Sequence, residues 1–140
     1  MPNAMGVTPL MAAAGLGMGR SSPRFNPSAN DAQDRSIATL EILQAAGADI
    51  NARITDVTSR TARWGRGSYV MERGGQTALY GAVQWAWPRV VRYLVDHGAE
   101  VAIVDDRRVS PLDAALGRAG SSDNRPSPEV AKILQTAIGQ

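Results

Sequence analysis

The 140-residue chain is predicted to fold as an all-α solenoid of about three helix-turn-helix repeats, with two long loop insertions. Three observations carry that prediction. One phrase occurs three times, as Val7-Thr8-Pro9-Leu10-Met11-Ala12-Ala13-Ala14, Gln76-Thr77-Ala78-Leu79-Tyr80-Gly81-Ala82-Val83 and Val109-Ser110-Pro111-Leu112-Asp113-Ala114-Ala115-Leu116. Thr77 and Ser110 stand 33 residues apart, a period that belongs to stacked supersecondary units. Aromatic residues make up 5% of the chain, so Ala, Gly, Val and Leu must fill the interior, which suits small, closely spaced helices.

The first helix covers about residues 9–14 and is stopped by Gly15, Gly17 and Gly19. Residues 21–30 are rich in Ser, Pro and Asn and read as loop. Asn30 then caps a second helix, with Asp31 in its first turn and Gln33 at the capping-box position. Ile37, Leu40, Ile42 and Leu43 supply its apolar side, and Gly47-Ala48-Asp49-Ile50-Asn51 closes it. Residues 53–73 alternate β-branched and polar residues around Trp64-Gly65-Arg66-Gly67 and read as an extended hairpin or loop.

The middle copy runs without gaps. A short helix over residues 77–86 sets Leu79, Ala82 and Val83 on one face. Pro88 suits the first turn of the next helix, where a missing N–H costs nothing. Val90, Val91, Leu94 and Val95 form its buried stripe, and Gly98 is its C-terminal cap. Residues 105–108 make the turn into the last copy. There a longer loop over residues 121–127 precedes a final helix, capped by Ser127, with Pro128 first and a stripe of Val130, Ile133, Leu134 and Ile138. The repeats are placed at about 4–52, 74–104 and 105–140. The insertions lie near 16–34 and 53–73, and each adds 18 residues to the spacing of the unbroken copy.

Composition narrows function. The chain has no Cys and one His, His97, which rules out thiolate chemistry and His- or Cys-cluster metal sites. No apolar run approaches the roughly 18–20 residues of a membrane span. No basic segment precedes the mildly apolar residues 5–18, so a signal peptide fits poorly and a cytoplasmic location is favoured. Net charge is +2, carried by fourteen Arg and the single Lys132. Residues 15–20 resemble a phosphate loop superficially, but they follow a helix and no Lys-Ser/Thr comes after them. Asp105 and Asp106 are adjacent carboxylates at a turn, expected to be solvated. No nucleophile–base pair is visible, so no enzymatic activity, metal or cofactor is expected.

These residues resemble the ankyrin repeat family. Its phrase is Gly-x-Thr-Pro-Leu-His-x-Ala-Ala, then a helix with Val and Leu-Leu, then Gly-Ala-Asp-x-Asn-Ala. Residues 6–13 with Leu43 and residues 47–52 carry it, then residues 75–83 with Val91, Leu94, Gly98 and Ala99, then residues 110–115 with Leu134. About 100 of the 140 residues fall within the resemblance. The chain is also similar to C-terminal ankyrin segments of larger bacterial proteins. Two departures stand out: the family His is Met11, Tyr80 and Asp113 here, and the family Pro is Ala78 in the middle copy. The resemblance implies that the brace between that His and the Thr of the phrase is missing in all three copies.

The resemblance further implies noncovalent binding of another protein through the turn tips and the exposed face of each first helix. Carried over by position, the partner-binding residues are Arg73, Gln76, Gln84, Trp85, Asp106, Arg107, Val109 and Arg118. Trp85 reads either as an interface anchor on the concave face or as a residue packed beneath residues 53–73. Trp87 reads as core, and Tyr80 as a structural hydrogen-bond donor. The inserted segment holds Arg53, Arg60, Arg63, Arg66 and Arg73 against Asp56 and Glu72, a net +3, interleaved with Trp64 and Tyr69. That element would join the concave face in binding the partner protein through an acidic patch, or Arg60, Arg63, Trp64 and Arg66 would serve an alternative function, binding nucleic acid or another polyanion. Apolar Met5, Val7 and Met11 at the start lack a capping helix, so a homodimer or additional N-terminal repeats are expected to cover that end.

Overall fold

In the computed structural model, which describes residues 8–15, 30–54, 74–117 and 126–139, the described chain forms six helices and no strand. They are α1 (Pro9–Ala13), α2 (Asn30–Ala45), α3 (Ala78–Gln84), α4 (Pro88–Asp96), α5 (Pro111–Ala115) and α6 (Pro128–Ile138). Each short helix packs on the longer one that follows it. The short helices α1, α3 and α5 also pack side by side as one row, and α2, α4 and α6 as a second. The core is the layer between the rows, with Leu10, Leu40, Leu79, Val83, Val90, Val91, Leu94, Val130 and Leu134 sealed from solvent. No described helix is long and apolar enough to cross a membrane.

The two five-residue helices begin with reciprocal caps. Thr8 Oγ1 accepts from the Met11 N–H at 3.2 Å, and Met11 Sδ accepts from the Thr8 N–H at 3.4 Å. In α5, Ser110 Oγ accepts from the Asp113 N–H at 3.1 Å, and Asp113 Oδ2 accepts from the Ser110 N–H at 3.3 Å. Both helices have Pro at the first turn. Helix α3 has neither device: it starts at Ala78, and Thr77 makes no side-chain cap bond. Burial holds it instead, since every residue from Ala78 to Val83 is inside, and each buried methylene contributes about 0.8 kcal/mol.

The longer helices follow their apolar spacing with two exceptions. Val90, Val91 and Leu94 of α4 and Val130 and Leu134 of α6 are buried as their stripes predict. The chain then leaves α2 and α4 through glycines with positive φ, Gly47 (+89°) and Gly98 (+94°), and the Ala48 and Ala99 N–H groups return to Leu43 and Leu94. Ile138, the last residue of α6, is 46% exposed, and Ile42 is 70% exposed rather than inward. It lies two residues from buried Leu40, and at about 100° per residue that places it on the far side of the helix. The inner face of α2 is Ala32, Ser36 and Leu40, flanked by Ile37 and Leu43.

Gln33 also departs from its expected role. The helix already includes Asn30, and Gln33 Oε1 accepts the Arg89 N–H at 3.0 Å, satisfying an orphan donor at the start of α4. Further polar bridges tie the helices within the first unit and the first unit to the middle one. Ser36 Oγ donates to the Ala13 carbonyl at 2.6 Å, and Tyr93 Oη to Gln44 Oε1 at 2.7 Å. The Arg89 guanidinium pairs with the Asp34 carboxylate. Asn51 spans the turns after α2 and α4: its Nδ2 donates to the Gly98 carbonyl at 3.1 Å, and its Oδ1 accepts the Glu100 N–H at 2.9 Å.

The missing histidine brace is replaced rather than lost. Ser110 Oγ donates to Asp113 Oδ2 at 2.9 Å, which ties the same two positions of the phrase with a carboxylate. Tyr80 reaches further. Its hydroxyl donates to the Val109 carbonyl at 2.5 Å, with the Ile103 carbonyl 3.3 Å away, and so links the middle unit to the next turn. Burial, with a smaller contribution from the Asp105 carboxylate, pushes the Tyr80 hydroxyl well above the ordinary tyrosine value of 10.0. A raised folded-state value favours the protonated phenol in the native protein. Its stabilisation is complete below pH 10.0 and declines as pH rises above it. Tyr80→Phe should cost about 1–2 kcal/mol at neutral pH. It should also remove part of the alkaline loss of stability, measured by urea unfolding on either side of pH 10.0.

Candidate partner-binding site

The turn between the middle and last units is built around one buried carboxylate. The Arg108 N–H donates to the Asp105 carbonyl at 2.9 Å, and the Asp105 N–H to the Val109 carbonyl at 3.0 Å. Asp105 Oδ1 accepts the N–H groups of Arg107 and Val109, both at 2.9 Å. Its Oδ2 accepts Gln76 Nε2 at 3.0 Å, and Gln76 Oε1 in turn accepts Gln84 Nε2 at 3.0 Å. A hydrogen-bonded chain thus runs from the end of α3 to the turn tip. Asp105 is 5% exposed, which corrects its reading as a solvated turn residue. Its carboxylate meets three donors there, which compensates the loss of water.

Successive tips are laddered through the backbone. Ile54 and the segment 74–76 exchange two bonds, Ile54 N–H to the Gln76 carbonyl and Gly75 N–H to the Ile54 carbonyl, both at 3.0 Å. The Asp106 N–H donates to the Gly74 carbonyl at 2.9 Å. Arg53 Nη2 crosses to the Val104 carbonyl at 3.2 Å. The tips form a connected edge, and Asp106, Arg107 and Arg108 project from it in the open.

This frame separates the residues expected to bind a partner. Asp106 and Arg107 are exposed. Val109 is half-buried, with its N–H and carbonyl both engaged in the turn. Gln76, expected at the tip surface, is 6% exposed because it is the link to Asp105. Gln84 is half-buried beside it. Trp85 is interior at 7% exposure: its Nε1 donates to the Gly15 carbonyl at 2.9 Å, and its ring stacks on Trp87 with centroids 6.2 Å apart. Trp85 therefore packs against the end of α1. A Cβ on Gly15 would sit 2.5 Å from Trp85 Cδ1, so glycine is required there by contact as well as by its φ of +94°. Arg73 and Arg118 lie outside the described residues, as do Arg60, Arg63, Trp64 and Arg66.

Two residues of this tip were not singled out by sequence reasoning. Asp105 reads as an ordinary turn acid, because nothing local reveals that Gln76, 29 residues earlier, approaches it. Arg108 lies 33 residues after Gly75, an arginine at a glycine position of the phrase, and that substitution was the available signal.

The Ankyrin repeat family model matches residues 74–106, the middle unit with its laddered tip. No curated protein matches the chain. The ankyrin repeat is a non-enzymatic module that generally mediates protein–protein interaction. Residues 74–106 thus match an ankyrin repeat, and the repeated phrase and the two rows of helices among the described residues are consistent with an all-α ankyrin repeat fold.

Proposed function

We propose that the chain binds a partner protein noncovalently along the edge of turn tips, with Asp106 and Arg107 as central contacts. The observation that carries this is the buried Asp105 carboxylate, which fixes a solvent-facing turn before any partner arrives. Binding then costs less ordering of the loop. Gln84 borders the same surface. In this reading residues 53–73, with a net charge of +3, supply a second contact, and Arg73 and Arg118 extend it.

The test is an affinity capture that compares the native chain with an Asp106→Ala, Arg107→Ala double variant. Both substitutions are at exposed positions, so the two proteins should melt within a few degrees of each other. The native chain is expected to retain proteins that the double variant loses. Recovery of the same proteins at the same level by both would end the tip assignment.

A further inference from the structure

The 33-residue period places Arg108 at the position that Gly75 holds one unit earlier, and both adopt left-handed backbone, with φ of +62° and +78°. Glycine reaches that region without steric cost, whereas an arginine Cβ crowds the backbone there. Gly75 is moreover packed, since a Cβ on it would meet Asp106 Oδ1 at 2.7 Å. The chain therefore has a relaxed solution for this turn and departs from it at 108. Such strain persists where its surroundings hold it. Here the Arg108 N–H is bonded to the Asp105 carbonyl, and its neighbours' N–H groups are bonded to the Asp105 carboxylate.

Arg108 and Arg107 are both exposed, and Arg53 joins them from the preceding tip through its bond to the Val104 carbonyl. Val104 is 47% exposed beside that bond. Asp106 is the one exposed carboxylate of residues 104–109, because Asp105 is buried and fully engaged. Residues 104–109 together with Arg53 thus carry three guanidinium groups against one exposed carboxylate. Of the described aromatic rings, Tyr80, Trp85 and Trp87 are buried and Tyr93 is half-buried and stacked on His97, so none of them is an open platform for a nucleobase.

We propose that Arg53, Arg107 and Arg108 bind an acidic peptide segment of a partner protein, with its carboxylates on the guanidinium groups and an aliphatic side chain against Val104. The proposal rests on the partner-binding reading above and names the chemistry of the partner. Guanidinium groups take carboxylates through paired N–H donors. Asp106 repels an acid placed next to it, which sets the register of the segment.

The experiment uses the full chain and fluorescence anisotropy with three labelled probes. They are a Glu-Glu-Leu-Glu-Glu peptide, its Gln-Gln-Leu-Gln-Gln counterpart, and an oligothymidylate of equal length. The acidic peptide should bind at least about tenfold more tightly than the neutral one and should weaken as salt rises. Arg108→Gly should raise the melting temperature by about 3 °C through relief of strain. The same variant should weaken acidic-peptide binding by about tenfold, the loss of one charge-assisted pair. Lys132→Ala, which removes an exposed charge on α6, should leave that binding unchanged. Undiminished binding by Arg108→Gly overturns the proposal. Oligothymidylate bound as tightly as the acidic peptide, with the same sensitivity to Arg108, replaces it with polyanion binding. If no acidic peptide binds while the Asp106→Ala, Arg107→Ala chain still loses its captured partners, partner binding stands and the acidic chemistry fails.

Discussion

Trp85→Ala lowers the unfolding free energy by about 3–5 kcal/mol, the usual cost of removing a large buried aromatic side chain. The ring fills the junction between the first and middle units. It bonds the Gly15 carbonyl and stacks on Trp87. Alanine leaves both a void and a carbonyl without its donor. Domains of this size are stable by about 5–15 kcal/mol, so the variant keeps little margin. Repeat units bury their faces on one another, and opening this junction should loosen α1 and α2 before the rest. Urea unfolding followed by circular dichroism measures the total loss, and hydrogen exchange locates it. Trp85→Phe keeps most of the volume and should recover more than half of the lost stability. Native-like stability in Trp85→Ala would show that the junction is not held by this side chain.

Asp105→Ala should cost about 3 kcal/mol, because it orphans the Arg107 and Val109 N–H groups and Gln76 Nε2 together. Asp105→Asn should cost less than half as much. Its amide oxygen can still accept the two backbone N–H groups, and its NH2 can be accommodated if the Gln76 and Gln84 amides rotate in turn. Trypsin reports directly on the tip, since Arg107 and Arg108 lie within it. Cleavage there should be slow in the native chain, fastest in Asp105→Ala and intermediate in Asp105→Asn. Equal cleavage rates would mean that the carboxylate does not fix the turn. Because the same turn presents the proposed binding arginines, Asp105→Ala should also weaken acidic-peptide binding without removing a contact.

Local rules were readable where they acted alone. Ser127 capping α6, Pro88 opening α4, Gly98 ending it and the Val90, Val91, Leu94 stripe all depend on residues within one or two turns of each other. Ile42 shows the limit, since hydrophobicity counted without helical phase assigned it to the wrong side. The candidate site was readable in part. The exposure of Asp106 and Arg107 follows from the turn position alone, whereas Trp85 and Gln76 turned inward. Gly15 and Trp85 are 70 residues apart, and no local signal reveals that one leaves room for the other. The histidine positions taught the same point. A brace judged missing by residue type was rebuilt by Asp113 within one phrase and by Tyr80 across to Val109.

The sequence by itself determined that helical units stack with a 33-residue period between the middle and last copies. Period and apolar spacing are properties of the chain order, and burial of apolar faces enforces them. Only the tertiary structure decided which polar residues face inward. A buried carboxylate such as Asp105 is tolerated where donors from distant residues converge on it, and convergence of that kind exists only once the units have packed.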